Sequence, residues 1–113
     1  MKEIKAIVQP FMEEKVLGAL RQLGGLPGIT VSKVIGIGKV PAGSNASDDE
    51  SARISLVNKT KLEIVVSDEM VDDVVDTIVG AARTGHLGDG KVFVSAVLET
   101  VQIRTGARGT EAV

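Results

Sequence analysis

Residues 60–82, TKLEIVVSDEMVDDVVDTIVGAA, change their hydrophobic period halfway along the stretch. Up to Val66, every second residue is apolar, which is typical of a β-strand with one buried face. From Val71 onward, apolar residues recur at offsets 0, 3, 4, 7, 8 and 11, which is the period of an amphipathic α-helix. Ser67 or Asp68 stands between the two patterns and is suited to cap the helix. The stretch therefore predicts a strand followed by a helix.

The segments on either side repeat this order. Residues 2–9, KEIKAIVQ, read as a strand that ends at Pro10, and residues 11–25 carry an apolar helical stripe that ends at two glycines. Residues 29–40 read as a long strand with Gly36 and Gly38 near its far end, where a ligand or another backbone often comes close. Residues 91–104 read as a last strand, with a separate short strand at 101–104 as a further option.

The resulting order β-α-β-β-α-β predicts an α+β fold of the ferredoxin-like type, in which two helices cover one face of a four-stranded antiparallel sheet. The 113 residues fit one domain, residues 1–113. The uncovered face would carry Ile7, Phe93 and Val97. Because a bare apolar face is a common subunit contact, we expect this face to pack on another subunit of a homo-oligomer.

Composition excludes several classes of function. The chain has two Phe and neither Trp nor Tyr, and its formal net charge is -2, so it lacks the stacking platforms and basic surface that nucleic-acid binding needs. It has no cysteine and one histidine, so thiolate chemistry and a His or Cys metal centre are excluded. No segment is apolar enough to span or insert into a membrane, and we expect a soluble, cytoplasmic protein.

Residues 84–91, TGHLGDGK, resemble the phosphate-binding pattern G-x-x-x-x-G-K-[ST], but Val92 stands where Ser or Thr is required. The stretch also follows a predicted helix and precedes a predicted strand, which is the reverse of that motif's context. A true P-loop is therefore not expected. Two interpretations remain open from the residues alone: a nest of amide groups that binds an anion, or a helix cap at Gly85 followed by a tight turn at Asp89 and Gly90.

Four stretches together resemble the PII family of nitrogen-regulatory signal proteins: KEIKAIVQPF, TKLEIVVSDEMVDDVVDTI, TGHLGDGKVFV and IRTG at 103–106. The resemblance covers nearly the whole chain. It implies a ferredoxin-like homotrimer that binds ATP or ADP between subunits, with Mg²⁺ as a companion of ATP, and that regulates a membrane transporter or an enzyme. In the family's terms, residues 84–91 are the B-loop, 102–109 the C-loop and 41–53 the flexible tip of the T-loop.

The same resemblance implies the residues of the nucleotide site. Arg104 would reach phosphate from a neighbouring subunit, and Lys59 matches a position that binds a second effector, 2-oxoglutarate. The remaining matches are Ile7, Thr30, Gly36, Gly38, Lys39, Glu63, Val65, Thr84, Gly88, Asp89, Gly90 and Lys91. No metal ligands and no catalytic residues are expected.

The chain departs from the family at positions that bear on its ligands. His86 replaces a B-loop lysine and Gln102 replaces a C-loop arginine, which favours ligands with fewer phosphates and makes AMP a further candidate. Val40 replaces a glutamine that holds Mg²⁺ and 2-oxoglutarate, so classical 2-oxoglutarate sensing is not favoured, and another small anion such as bicarbonate is the alternative. Ala52 replaces the tyrosine that is uridylylated, so that modification is excluded.

Two other functions are alternatives to nucleotide sensing. An ATP-hydrolysing enzyme would need a base and a metal-binding carboxylate beside the phosphates, and Asp89 is the only acid in the glycine loop. A structural trimer with a decayed site is the other alternative, and the retained loop and Arg104 speak against it. We expect a regulatory protein, not an enzyme.

Overall fold

The computed structural model describes residues 1–39 and 54–113. The predicted loop tip at 41–53, together with Val40, lies outside the described residues. The expectations for that segment, including its departures from the family, therefore stay predictions.

The described residues form four strands and two helices in the predicted order. They are β1 (Lys2–Val8), α1 (Glu13–Leu23), β2 (Thr30–Lys39), β3 (Ile54–Val66), α2 (Val71–Ala82) and β4 (Gly90–Ala96). The strands lie in the order β2-β3-β1-β4, and each pairs antiparallel with its neighbours. The ferredoxin-like prediction is confirmed.

The helices form where the hydrophobic period and the end signals predict them. In α1, Val16 and Leu20 are buried, two glutamates lie in the first turn, and Gly24 ends the helix with φ 69°. In α2, Val74 and Ile78 are buried one turn apart. Neither helix is long and apolar enough to cross a membrane, and no other helix among residues 1–39 and 54–113 is.

The core lies between these helices and one face of the sheet. Ile4 of β1 pairs with Ile64 of β3, and Ala6 pairs with Leu62, so the buried side chains form rows across the central strands. The fully buried large side chains are Ile4, Val8, Val16, Leu20, Leu62, Val66, Val74 and Ile78. The predicted alternation in β1 and β3 is therefore confirmed.

The opposite face of the sheet is covered by neither helix. It carries Ile7, which pairs with Lys61 on one side and with Lys91 on the other. Phe93, two residues further along β4, is half exposed. That this face packs on another subunit stays a prediction.

The last strand is shorter than predicted. Strand character was expected up to Arg104, but β4 ends at Ala96. Ala96 pairs with Lys2 at the beginning of β1, and the final contact is the Val97 N–H donating to the Met1 carbonyl at 3.2 Å. Because β1 offers no further backbone partner, the chain leaves the sheet, and residues 97–113 contain one isolated β-bridge, between Val101 and Arg108.

The predicted cap of α2 is wrong. Neither Ser67 nor Asp68 makes a capping hydrogen bond, because a short 3₁₀ turn at Asp68–Met70 comes before the helix. The Asp68 carboxylate instead accepts from the amino group of Met1 at 2.8 Å. This bond and the charge of the amino group lower the pKa of Asp68.

Candidate functional site

The glycine loop, residues 84–90, connects the end of α2 to the beginning of β4. The helix ends at Ala82, the N–H of the next residue, Arg83, donates to the Val79 carbonyl at 3.1 Å, and the strand begins at Gly90. The order is helix, loop and strand, as predicted from the sequence. The loop therefore lacks the strand-to-helix context of a P-loop.

Asp89 holds the glycine loop in shape. Its carboxylate accepts hydrogen bonds from the Thr84 N–H at 2.8 Å, the Thr84 hydroxyl at 2.5 Å and the Gly85 N–H at 2.9 Å. The Thr84 hydroxyl oxygen in turn accepts from the His86 N–H at 3.2 Å. One carboxylate thus ties Asp89, near the end of the loop, to the first two residues of the loop, which folds the loop back on itself.

The same hydrogen bonds keep Asp89 charged. The Thr84 hydroxyl has the largest effect in lowering the pKa of Asp89, followed by the Thr84 backbone N–H, with smaller contributions from the Gly85 N–H and His86. Partial desolvation acts in the opposite direction and is outweighed. The carboxylate is therefore ionised throughout the neutral range, and the loop contains one fixed negative charge that its own donors satisfy.

Gly90 is the point where the loop meets the sheet. Its φ is 109°, and a Cβ placed there would lie 1.7 Å from the Ile7 carbonyl oxygen, so a residue with a side chain cannot occupy this position. Gly90 pairs with Val8, and this pairing sets Lys91 opposite Ile7. Three predicted site residues, Ile7, Gly90 and Lys91, therefore lie together.

Lys59 joins β3 to the glycine loop. Its ammonium donates to the Gly88 carbonyl at 2.6 Å, and its side chain passes 3.8 Å from the position that a Cβ on Gly36 would take. Gly36, Lys59 and Gly88 therefore lie in one cluster, although they come from β2, β3 and the loop. Gln9 also belongs here, because its amide nitrogen lies 3.1 Å from the Cβ position of Gly88. Sequence analysis missed Gln9, since nothing in its position after β1 indicates that the loop folds over it.

A groove of about 330 Å³ lies between α2 and the strands β1 and β4. Its wall is mostly aliphatic, and it reaches the end of the glycine loop. The lining residues are Ile7, Val8, Val75, Ile78, Val79, Ala82, Arg83, Asp89, Gly90, Lys91 and Val92. An apolar wall beside Lys91 and Arg83 suits a ligand with an apolar part and an anionic part.

The predicted residues Thr30, Glu63 and Val65 line a different cavity, of about 420 Å³. Thr30 pairs with Glu63 across β2 and β3. Glu63 and Val65 lie two and four residues beyond Lys61, the partner of Ile7, which displaces them along the sheet by about 7 and 13 Å at 3.3 Å per residue. The structure therefore divides the predicted site into two groups. The second group consists of Thr30, Glu63 and Val65. The loop group consists of Ile7, Gly36, Lys59, Thr84, Gly88, Asp89, Gly90 and Lys91.

The remaining predicted residues lie outside both groups. Gly38 and Lys39 continue β2 beyond Gly36, with backbone pairing to Ser55 and Ile54. Arg104 lies in a turn of the C-terminal segment, next to Ile103, whose side chain is fully exposed. Among the residues that the structure describes, no three acidic or histidine side chains come together as metal ligands.

Comparisons with known proteins agree on one family. Residues 1–107 match the family described as nitrogen regulatory protein P-II. Nitrogen regulatory protein P-II 2 of Methanothermobacter thermautotrophicus is 50% identical over 113 residues, which span 100% of this chain and 97% of that protein. A nitrogen regulatory protein P-II of Microchaete diplosiphon is 45% identical over the full length of both chains. The crystal structure of Arabidopsis thaliana PII bound to citrate superimposes with a TM-score of 0.80 at 38% identity, over 99% of this chain and 91% of that one.

We predict that Gly90→Ala destabilises the chain more than Gly85→Ala does. Both glycines have positive φ, but a Cβ at Gly85 meets nothing within 4 Å. Gly85→Ala therefore suffers only the backbone strain of about 1–2 kcal/mol. Gly90→Ala suffers that strain and the overlap with Ile7, which adds about 1–3 kcal/mol or more. Urea unfolding of the two variants at equal protein concentration measures the difference, and equal losses would contradict the packing described here.

We predict that the Asp89 carboxylate protects the Thr84 and Gly85 amides from hydrogen exchange. The folded-state pKa of Asp89 is lowered. The ionised Asp89 carboxylate therefore stabilises the folded loop at pH values above its unfolded-state pKa of about 3.9. This stabilisation is lost as the pH falls through the lower folded-state pKa. Asp89→Asn should speed exchange of both amides near neutral pH, as measured by NMR, while Asp76→Asn on the exposed face of α2 should not. Unchanged exchange in Asp89→Asn would show that the loop does not depend on this carboxylate.

Proposed function

Because this chain belongs to the nitrogen regulatory protein P-II family, we propose that it is a homotrimeric sensor of adenine nucleotides. ATP and ADP are the main candidate ligands, with AMP as the third. The nucleotide binds in clefts between copies, and its identity controls a membrane transporter or an enzyme in the cytoplasm through residues 41–53. Proteins of this family are signal-transduction regulators, not enzymes.

The conformation of the glycine loop is the observation that carries this proposal. Gly90 permits a backbone contact that no other residue allows, and Asp89 holds the first residues of the loop in place. Within residues 1–39 and 54–113, the N–H groups of Leu87 and Gly88 donate no backbone hydrogen bond. These amides, together with Lys59 at Gly88 and Lys91 at the end of the loop, provide the donors that a phosphate tail needs.

The division of the candidate residues into two groups supports a cleft shared by two copies. The loop group ends at Lys91, whereas Thr30, Glu63 and Val65 line a separate cavity near the C-terminal segment. A nucleotide held by the loop group of one copy and by the second group and Arg104 of another would use both. The bare sheet face provides the surface on which the copies assemble.

Three cations are available for the phosphates. Lys59 and Lys91 lie at the glycine loop, and Arg104 comes from the neighbouring copy. They balance the charge of ADP, and ATP would bring Mg²⁺ to neutralise its additional phosphate. Lys59 is also the contact for a second anionic effector, with bicarbonate favoured over 2-oxoglutarate because Val40 offers no ligand to a metal.

A route for signalling runs through Lys59. Its strand, β3, leads back from the segment 40–53, and its ammonium contacts the Gly88 carbonyl. A ligand that displaces or strengthens this contact would alter the position of Lys59 on β3 and the conformation of the glycine loop together. The segment 40–53 and the glycine loop would then be coupled in both directions, as regulation requires.

ATP hydrolysis is the weaker alternative. The only acid of the loop, Asp89, already accepts three hydrogen bonds from Thr84 and Gly85. A carboxylate that is occupied in this way, and whose pKa is lowered, is a poor general base.

Isothermal titration calorimetry tests the proposal. Wild-type protein should release or absorb heat with ATP or ADP, and Lys91→Ala should weaken the binding by about 10- to 100-fold, since a charge-assisted hydrogen bond contributes about 1.5–3 kcal/mol. Lys15→Ala, on the exposed side of α1, is the matched loss of charge and should change little.

Titrations repeated with 2-oxoglutarate or bicarbonate identify the second effector. No heat with ATP, ADP or AMP under any condition would refute the proposed function. Strong synergy with 2-oxoglutarate would refute the argument from Val40.

A further inference from the structure

The turn that carries Arg104 is closed by backbone hydrogen bonds of Gln102 and by one bond to its side chain. The Gln102 N–H donates to the Ala107 carbonyl at 2.8 Å, and the Gln102 carbonyl accepts from the Gly106 N–H at 2.7 Å. The Gln102 side-chain oxygen accepts from the Thr105 hydroxyl at 2.7 Å. Gln102 therefore bonds to residues three, four and five positions ahead of it.

Thr105 completes this network. Its hydroxyl donates to Gln102 and accepts from the Ala107 N–H at 3.1 Å. Below the turn, Val101 and Arg108 form a β-bridge, and the Arg108 guanidinium pairs with the Glu99 carboxylate. The β-bridge and the ion pair thus close the base of the turn, and the hydrogen bonds of Thr105 fix its interior, although the turn lies outside the sheet.

Ile103 and Arg104, at the tip of the turn, are both exposed. The Ile103 side chain is fully exposed, and Arg104 makes no ion pair within the described part of the chain. The segment begins beside Met1, whereas the glycine loop lies beside Val8 at the other end of β1, about 20 Å away at 3.3 Å per residue. A turn bonded in this way holds Arg104 ready for a ligand outside its own chain.

We propose that Gln102 is a positioning residue for the nucleotide, acting through Arg104. The inference rests on the proposed function and adds the way in which the backbone that carries Arg104 is held. If the turn were loose, phosphate would have to order both the backbone and the Arg104 side chain on binding. Because the Gln102 side chain bonds Thr105 and so restrains the backbone beside Arg104, part of that entropy loss already occurs during folding, and affinity for phosphate rises.

A double-mutant cycle on the full chain, with ADP as the probe in calorimetry, tests this role. Gln102→Ala should weaken ADP binding about three- to tenfold, the range expected for one hydrogen bond. Thr105→Val removes the same side-chain bond from its other end, and the bond from the Ala107 N–H as well, so it should give an equal or larger loss. Thr110→Val, an exposed threonine without a side-chain bond in the same segment, should change nothing.

The decisive comparison is in the Arg104→Ala background. Gln102→Ala should produce no further loss there, because the group that it positions is gone. Equal losses in both backgrounds, or no loss in the wild-type background, would overturn the positioning role while leaving ADP binding itself established. Failure of the wild-type chain to bind ADP would overturn this inference, and failure to bind ATP and AMP as well would overturn the proposed function.

Discussion

The contact between Gly90 and the Ile7 carbonyl is the constraint on which the candidate site depends. It fixes where β4 joins β1, and so it determines that Lys91 lies opposite Ile7 and that the glycine loop closes over the end of the central strand. The loop has little hydrophobic packing of its own. Its shape comes from this contact at one end, from Asp89 across its middle and from Lys59 of β3. Rigid elements thus position the loop and set Lys59 and Lys91 beside it.

The fold could be predicted from the sequence because local patterns and tertiary structure agree. The helical period from Val71, the alternation around Leu62 and Ile64 and the glycine at the end of α1 each indicate the element that forms. The prediction failed where a distant partner decides the outcome. The residues after Ala96 have strand character, but β1 begins at Lys2 and gives them nothing with which to pair. Asp68 is a good capping residue, but a 3₁₀ turn separates it from the helix, and its carboxylate accepts a hydrogen bond from the Met1 amino group instead.

The candidate site was predictable in part, for the same reason. The glycines and the Asp-Gly pair of the loop indicate a tight turn, and the resemblance to a family predicts that the loop binds phosphate. The contact from Lys59 to Gly88 and the proximity of Gln9 depend on how β1, β3 and the loop are arranged in space, so no local pattern contains them. Gln102 is the clearest example. In the sequence, Gln102 stands where the family has an arginine. In the structure, its backbone and its side chain form hydrogen bonds that close the turn of Arg104.

The central claim is that one ligand is held by Lys91 of one copy and Arg104 of another. Co-expression of the Lys91→Ala and Arg104→Ala chains tests it directly, because a mixed assembly contains some clefts in which both residues are intact. ADP titration of the purified mixed assembly should show a fraction of sites with wild-type affinity, although each variant alone binds weakly. If the mixed assembly binds no better than the two separate variants, the two residues do not share a site between copies, and the account is wrong.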